Sequence, residues 1–185
     1  MKNKALEEMT LEELWELFPI FLVSHSDKFK EYFLEEKSNL LALLENENIK
    51  IYHIGSTAVP NIKTKNIIDI LLICQNIEGV ANLLLKNGYR IMSKSDKRIS
   101  LNKGYSELGY LDKVYHLHLR YENDDDERYF LRYLIEHKNI AKEYEKLKIS
   151  LAKKYKHNRD AYTEGKTEFI KKYNNIAKRE YCKLD

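Results

Sequence analysis

Two cysteines in 185 residues, Cys74 and Cys182, are too few and too far apart for a disulfide framework or a zinc knuckle. Both are expected to be free thiols in a reducing, cytoplasmic compartment, and Cys74 closes an apolar run where a small hydrophobe fits. No apolar run approaches the length that spans a membrane. The N-terminal "MKNKALEEMTLEELWELFPIFLV" is acidic before its short apolar stretch, the wrong order for a signal peptide. Charge of one sign is also scarce: 32 Lys and Arg against 29 Asp and Glu leave +3, a weak field that disfavours nucleic acid as a partner. Internal repeats, low-complexity linkers and long charge blocks are missing. The chain therefore reads as a single domain over residues 1–185, with N-terminal helices to residue 50, a sheet core over 51–122 and C-terminal helices over 123–185.

What is present is periodicity. Leu11, Leu14, Trp15 and Phe18 fall at helical spacing and stop at Pro19, while Phe29, Tyr32, Phe33, Leu40, Leu43 and Leu44 predict a second helix beginning near Asp27. "IKIYHIGS" and "NIIDILLI" read as strands, "EGVANLLLKNGYR" as a helix capped at Gly88, and "RISLNKGYSELGYLDKVYHLHLRY" as a hairpin. From Asp125 onward apolar residues recur at three- and four-residue steps, predicting about three helices, the last beginning after "TEGK". Most of the 14 tyrosines sit on these stripes, as core residues with an edge hydroxyl do.

Asp69 interrupts the run from Ile67 to Ile73. A buried, unpaired carboxylate loses several kcal/mol of hydration, so it must be protonated, ion-paired, metal-bound or set beside a cleft. A functional carboxylate and a structural ion pair both meet that condition. Gly55, Ser56 and Thr57 form a turn whose amides and hydroxyls suit a phosphate oxygen, and equally suit an ordinary helix cap. Period two puts His116 and His118 on one face of a strand, where they would ligate a metal, bond a phosphate or simply be solvated. Arg128 and Arg132, one helical turn apart, are placed to clamp phosphates or to make a surface salt-bridge face, and Lys65 and Lys166 to neutralise a polyphosphate.

"HIGSTAVP…KNIIDILL", then "HLHL", then "RYFLRYLIEHKNIAKEYEKLKISLAKKY" and "YTEGKTEFI" together resemble, in order and over nearly the whole chain, the GrpB family. That family is also found fused to some dephospho-coenzyme A kinases and belongs to the DNA polymerase beta-like nucleotidyltransferases. The resemblance implies an α+β fold, a nucleotidyltransferase-like mixed β-sheet flanked by helices with a helical C-terminal portion. It implies that Gly55 and Ser56 open a nucleotide site and that Asp69 holds Mg2+ or Mn2+, with His116, His118 or Glu122 completing the set. Active nucleotidyltransferases carry a second acid two residues on; Leu71 stands there, which puts two-metal chemistry in doubt. Asn61 and Asn66 stand where the family more often shows Gly and Pro.

Two functions follow from the resemblance. One is metal-dependent transfer of a nucleotidyl group from an NTP to an unidentified acceptor, with Asp69, Ser56 and His118 as catalytic residues. The other is a noncatalytic module that binds a nucleotide, a coenzyme A-like ligand or another phosphorylated small molecule. RNA binding through Lys153, Lys154 and Lys156 is the weakest reading.

Overall fold

A computed structural model describes residues 4–181; Cys182 lies outside the described residues. The fold is α+β. Strands β1 (Lys50–Ile54), β2 (Ile68–Ile73), β3 (Arg90–Lys94), β4 (Arg98–Ser106) and β5 (Gly109–Arg120) form one mixed sheet in the order β1-β2-β5-β4-β3. The β2–β5 pair is parallel and the other three pairs are antiparallel. Helices α1 (Leu11–Leu17), α2 (Lys28–Leu43) and α3 (Ile77–Leu85) precede or interrupt the strands, and α4 (Asp126–Glu136), α5 (Lys138–Lys154) and α6 (Arg159–Tyr181) follow them. Among the described residues no helix is long and apolar enough to cross a membrane.

Alternation along the strands sorts the two faces of the sheet. Ile68, Ile70 and Leu72 of β2, Leu117 and Leu119 of β5, and Ile99 and Leu101 of β4 join Phe29, Phe33 and Leu40 of α2 and Val80 and Leu84 of α3 in the main core, where Cys74 is also buried. Most cross-strand partners on the opposite face are polar, with Leu71 the apolar exception beside His118. Asp69 pairs with His116 and Leu71 with His118 in the parallel register, and Ser100 and Asn102 of β4 lie beside His118 and His116. The C-terminal helices cover this polar face through their own apolar cluster, in which Val59 and Ile62 pack with Leu134, Ala141 and Tyr144.

Two local expectations are corrected. Ser56–Ala58 is a single 3-10 turn with no helix following it, so the Gly-Ser turn offers no helix dipole. The last helix starts at Arg159 rather than after "TEGK". Asn158 accepts from the Ala161 N–H at 2.9 Å and starts the helix early, and "TEGK" lies inside it. Gly165 is tolerated there because Leu151 of α5 fills its side: a Cβ at that position would come within 2.5 Å of Leu151 Cδ2.

Candidate functional site

Gly55, with φ +72°, turns the chain from β1 directly over Asp69. A Cβ at position 55 would sit 2.3 Å from Asp69 Oδ2 and 2.9 Å from its Cβ, so only glycine permits this approach. The adjacent Ser56 hydroxyl is engaged with Thr64 Oγ1 at 2.6 Å, and the buried Thr57 hydroxyl with His53 Nε2 at 3.0 Å.

Asp69 is reached from β5. His116 Nδ1 lies 3.2 Å from Asp69 Oδ1, and His118 Nε2 lies 3.9 Å from the same oxygen. Arg159, at the start of α6, donates to His116 Nε2 at 2.9 Å, and the Tyr105 hydroxyl is 2.7 Å from that nitrogen. Because guanidinium only donates, Nε2 must accept and Nδ1 must carry the proton, which it donates to Asp69. Burial holds the His116 imidazole down to about 3 despite the neighbouring carboxylate, with Arg159 opposing a second proton. Burial by itself would raise the Asp69 carboxyl, but the bond from His116 and the nearness of His118 outweigh it and hold the group well below the usual carboxylate range. A neutral imidazole therefore links a carboxylate to a guanidinium. His116 is expected to remain the Nδ1–H tautomer from pH 5 to 8, measured through its ring 15N shifts; titration in that window or an Nε2–H tautomer would contradict this assignment.

Above the dyad opens a cavity of about 720 Å³, within the range of small-molecule sites. Lys65, Lys148, Lys166 and Arg159 border it from the loop before β2, from α5 and from α6. Lys148 is 2% exposed; its ammonium donates to the Lys63 carbonyl at 2.5 Å and stands 4.9 Å from the Tyr144 ring centre. Lys65 and Lys166 flank the ring of buried Tyr162, at 5.7 and 4.5 Å. Among the described residues neither has an ion-pair partner. Burial lowers Lys65 to about 7, reinforced by repulsion from Arg159 and Lys166 and countered by Asp69. Burial likewise lowers Lys148 to about 7 and Lys166 to about 8. Asp69 at the dyad, with Asp126, Glu127, Asp160 and Glu164, borders the same cavity as these four cationic groups.

Residues 19–175 match the family described as GrpB protein. The chain belongs to the GrpB family. It is 36% identical to the UPF0157 protein YqkA of Bacillus subtilis over 95% of its own length, and spans about half of that relative, 53%. The crystal structure of GrpB from Enterococcus faecalis is similar at 31% identity and a TM-score of 0.77, covering 88% of this chain and 100% of that one. A Cid1 poly(U) polymerase structure with Mg 3'-dATP bound is similar at 13% identity and a TM-score of 0.48, over 77% of this chain and 44% of that one.

In this GrpB-family chain the structure gathers Gly55, Ser56, Lys65, Asp69, His116, His118 and Lys166 around one cavity. It leaves Thr57 behind the turn. Arg128 bonds Asp125 at 2.8 Å and stacks on Tyr52, and Arg132 bonds Glu136 at 2.9 Å beside Tyr181, so neither borders the cavity. Glu122 pairs with Lys50 at the surface. Lys148, Arg159, Tyr105 and Tyr162 join the site without having been singled out in the sequence. Lys148 carried a signal: it interrupts the apolar stripe Ala141, Tyr144, Leu151, much as Asp69 interrupts its strand.

The residues at the dyad do not fit a resident Mg2+ or Mn2+. Such hard ions want several oxygen ligands, and imidazole suits softer metals. Among the described residues Asp69 is the one carboxylate paired with His116 and His118, its Oδ1 already accepting from His116. Leu71, two residues on from Asp69 and fully buried between Ile54 and Ile73, offers no oxygen ligand. Among the described residues no group of three or more His, Cys, Asp or Glu could hold a metal.

Proposed function

We propose that this GrpB-family chain binds a phosphorylated small molecule, a nucleotide or coenzyme A-like ligand foremost, in the cavity over the Asp69–His116 dyad. The observation that carries the reading is the convergence of Lys65, Lys148, Lys166 and Arg159 on one cleft, with Lys65 and Lys166 lacking an ion-pair partner among the described residues. Gathering cations that folding has partly stripped of water is unfavourable by itself and becomes favourable when a polyanion enters. In this reading Lys65, Lys148 and Lys166 bind the phosphates as cations, Arg159 is held in place by its bond to His116, and Asp69 fixes the tautomer and orientation of His116, which burial and Arg159 keep neutral.

A second reading, metal-dependent nucleotidyl transfer from an NTP to an unidentified acceptor, is favoured by the way Gly55 lets the Gly-Ser turn lie against Asp69. In it Ser56 and the turn amides would contact phosphates, and His118, 3.9 Å from Asp69, would handle the acceptor proton.

Calorimetric titration of the four NTPs and coenzyme A into wild type, Asp69→Asn and Lys65→Met, with and without Mg2+ or Mn2+, separates the readings. The binding reading expects saturable affinity without metal that weakens about tenfold or more in Lys65→Met, the scale of one lost charge-assisted hydrogen bond. Affinity that requires metal and vanishes in Asp69→Asn would favour nucleotidyl transfer instead. No heat with any ligand would defeat both.

A further inference from the structure

The cationic groups occupy one end of the cavity, and the opposite end has a different chemistry. Resting on the phosphorylated-ligand reading, we infer that the ligand is a phosphorylated polyol, a sugar phosphate or the sugar of a nucleotide, whose hydroxyls are read by Glu127 and Asn174.

Two walls fix the order of the cavity. Along α6, Arg159, Tyr162, Lys166, Ile170 and Asn174 border it in turn. Lys166 and Asn174 are eight residues apart, about 12 Å of helix axis. Along β5 the same direction is followed. His116 is bonded to Arg159 at the start of α6, while Arg120, four residues on, donates to Glu127 Oε1 at 3.2 Å. Near the far end of α6, Asn174 Nδ2 donates to Asp126 Oδ2 at 3.1 Å. The four cations, with Asp69, Asp160 and Glu164 bordering the cavity near them, therefore stand at the opposite end from Glu127 and Asn174, and Ile170, Phe130 and Leu134 are among the apolar residues bordering the same cavity.

At the far end two acceptors have no donor. Glu127 Oε2 and Asn174 Oδ1 are buried without a hydrogen-bond partner, and both residues border the cavity. The amide orientation of Asn174 is set by chemistry: Asp126 accepts, so nitrogen must face it, and the oxygen is the atom left over. A buried acceptor without a donor has given up its solvation with nothing in return, so this end calls for donors. They are called for without charge, since Glu127 already has Arg120 and Asp126 already has Lys178. Hydroxyls meet that demand. A further ammonium would add positive charge where the carboxylates are already paired.

Binding of inorganic phosphate, pyrophosphate, ribose 5-phosphate, ATP and 2′,3′-dideoxy-ATP to the full chain tests the inference. Wild type is expected to hold ATP about tenfold or more tightly than 2′,3′-dideoxy-ATP, and ribose 5-phosphate more tightly than inorganic phosphate, since each hydroxyl bond to a charged acceptor is worth about that factor. In Glu127→Gln, which keeps the oxygen facing Arg120 and turns the free one into a donor, the ATP preference should fall toward one. Equal affinity of wild type for ATP and its dideoxy analogue would overturn the inference without any variant, and so would an undiminished preference in Glu127→Gln. Failure of pyrophosphate and all the other probes to bind would instead overturn the cavity reading on which the inference rests.

Discussion

Gly55→Ala is expected to lower Tm by about 6–12 °C and to remove ligand binding together. Three effects add. Position 55 is held at φ +72°, ψ −173°, a region that essentially only glycine populates and that costs another residue about 1–3 kcal/mol. The new methyl would meet Asp69 Oδ2 at 2.3 Å, which a rotation relieves, but it would also meet Asp69 Cβ at 2.9 Å, which only a shift of strand or turn relieves. Either movement breaks the 3.2 Å bond to His116 and strands a half-buried carboxylate, for about 1–3 kcal/mol more. A loss near 3 kcal/mol corresponds to the stated fall for a chain of this size. A thermal melt and a titration of the same sample check both parts. Wild-type Tm with binding intact would mean that the turn adapts and that its contact with Asp69 is incidental.

The second large effect concerns pH. Affinity for a phosphorylated ligand is expected to fall by about a hundredfold from pH 7.5 to 8.5, with uptake of about two protons on binding at pH 8. The sign follows from the lysines. Without ligand, burial holds Lys65 and Lys148 to about 7 and Lys166 to about 8, so much of their charge is absent at pH 8. Asp69 from β2 raises all three, and Arg159 from α6 opposes Lys65 and Lys166. Phosphate oxygens add a stronger attraction that drives the ammonium groups back to their charged form, so protons enter with the ligand. Calorimetry in buffers of different ionisation enthalpy counts them. The ligand-free chain carries the opposite signature. Its lysines bind fewer protons folded than unfolded between about pH 7 and the ordinary lysine range, so its stability rises across that window and the gain is lost as pH falls through 8 to 7. Proton release, or a pH-independent affinity, would mean that the three lysines are already charged.

Local signals were legible because each depends on near neighbours in the chain. Pro19 ends α1, the Ile-rich run makes β2, and period two puts His116 and His118 on a common face. Asp69 was legible as an anomaly for the same reason, since a charge inside such a run has few physical explanations. The start of α6 was misplaced because Gly165 reads as a breaker locally, whereas the surface of Leu151 on α5 makes glycine the residue that fits.

By itself the sequence determined the element types, the mixed α and β character and the acid, glycine and histidines at the centre of the candidate site. Tertiary structure decided their company. Parallel pairing of β2 with β5 is a contact across more than forty residues, and it alone sets His116 opposite Asp69. Lysines look alike in a lysine-rich chain; only the packing of α5 and α6 over the sheet separates Lys148 and Lys166 from the solvated ones, and separates Arg159 from Arg128 and Arg132. Charge becomes chemically distinctive where folding removes water from it, and that exclusion depends on neighbours distant in the chain.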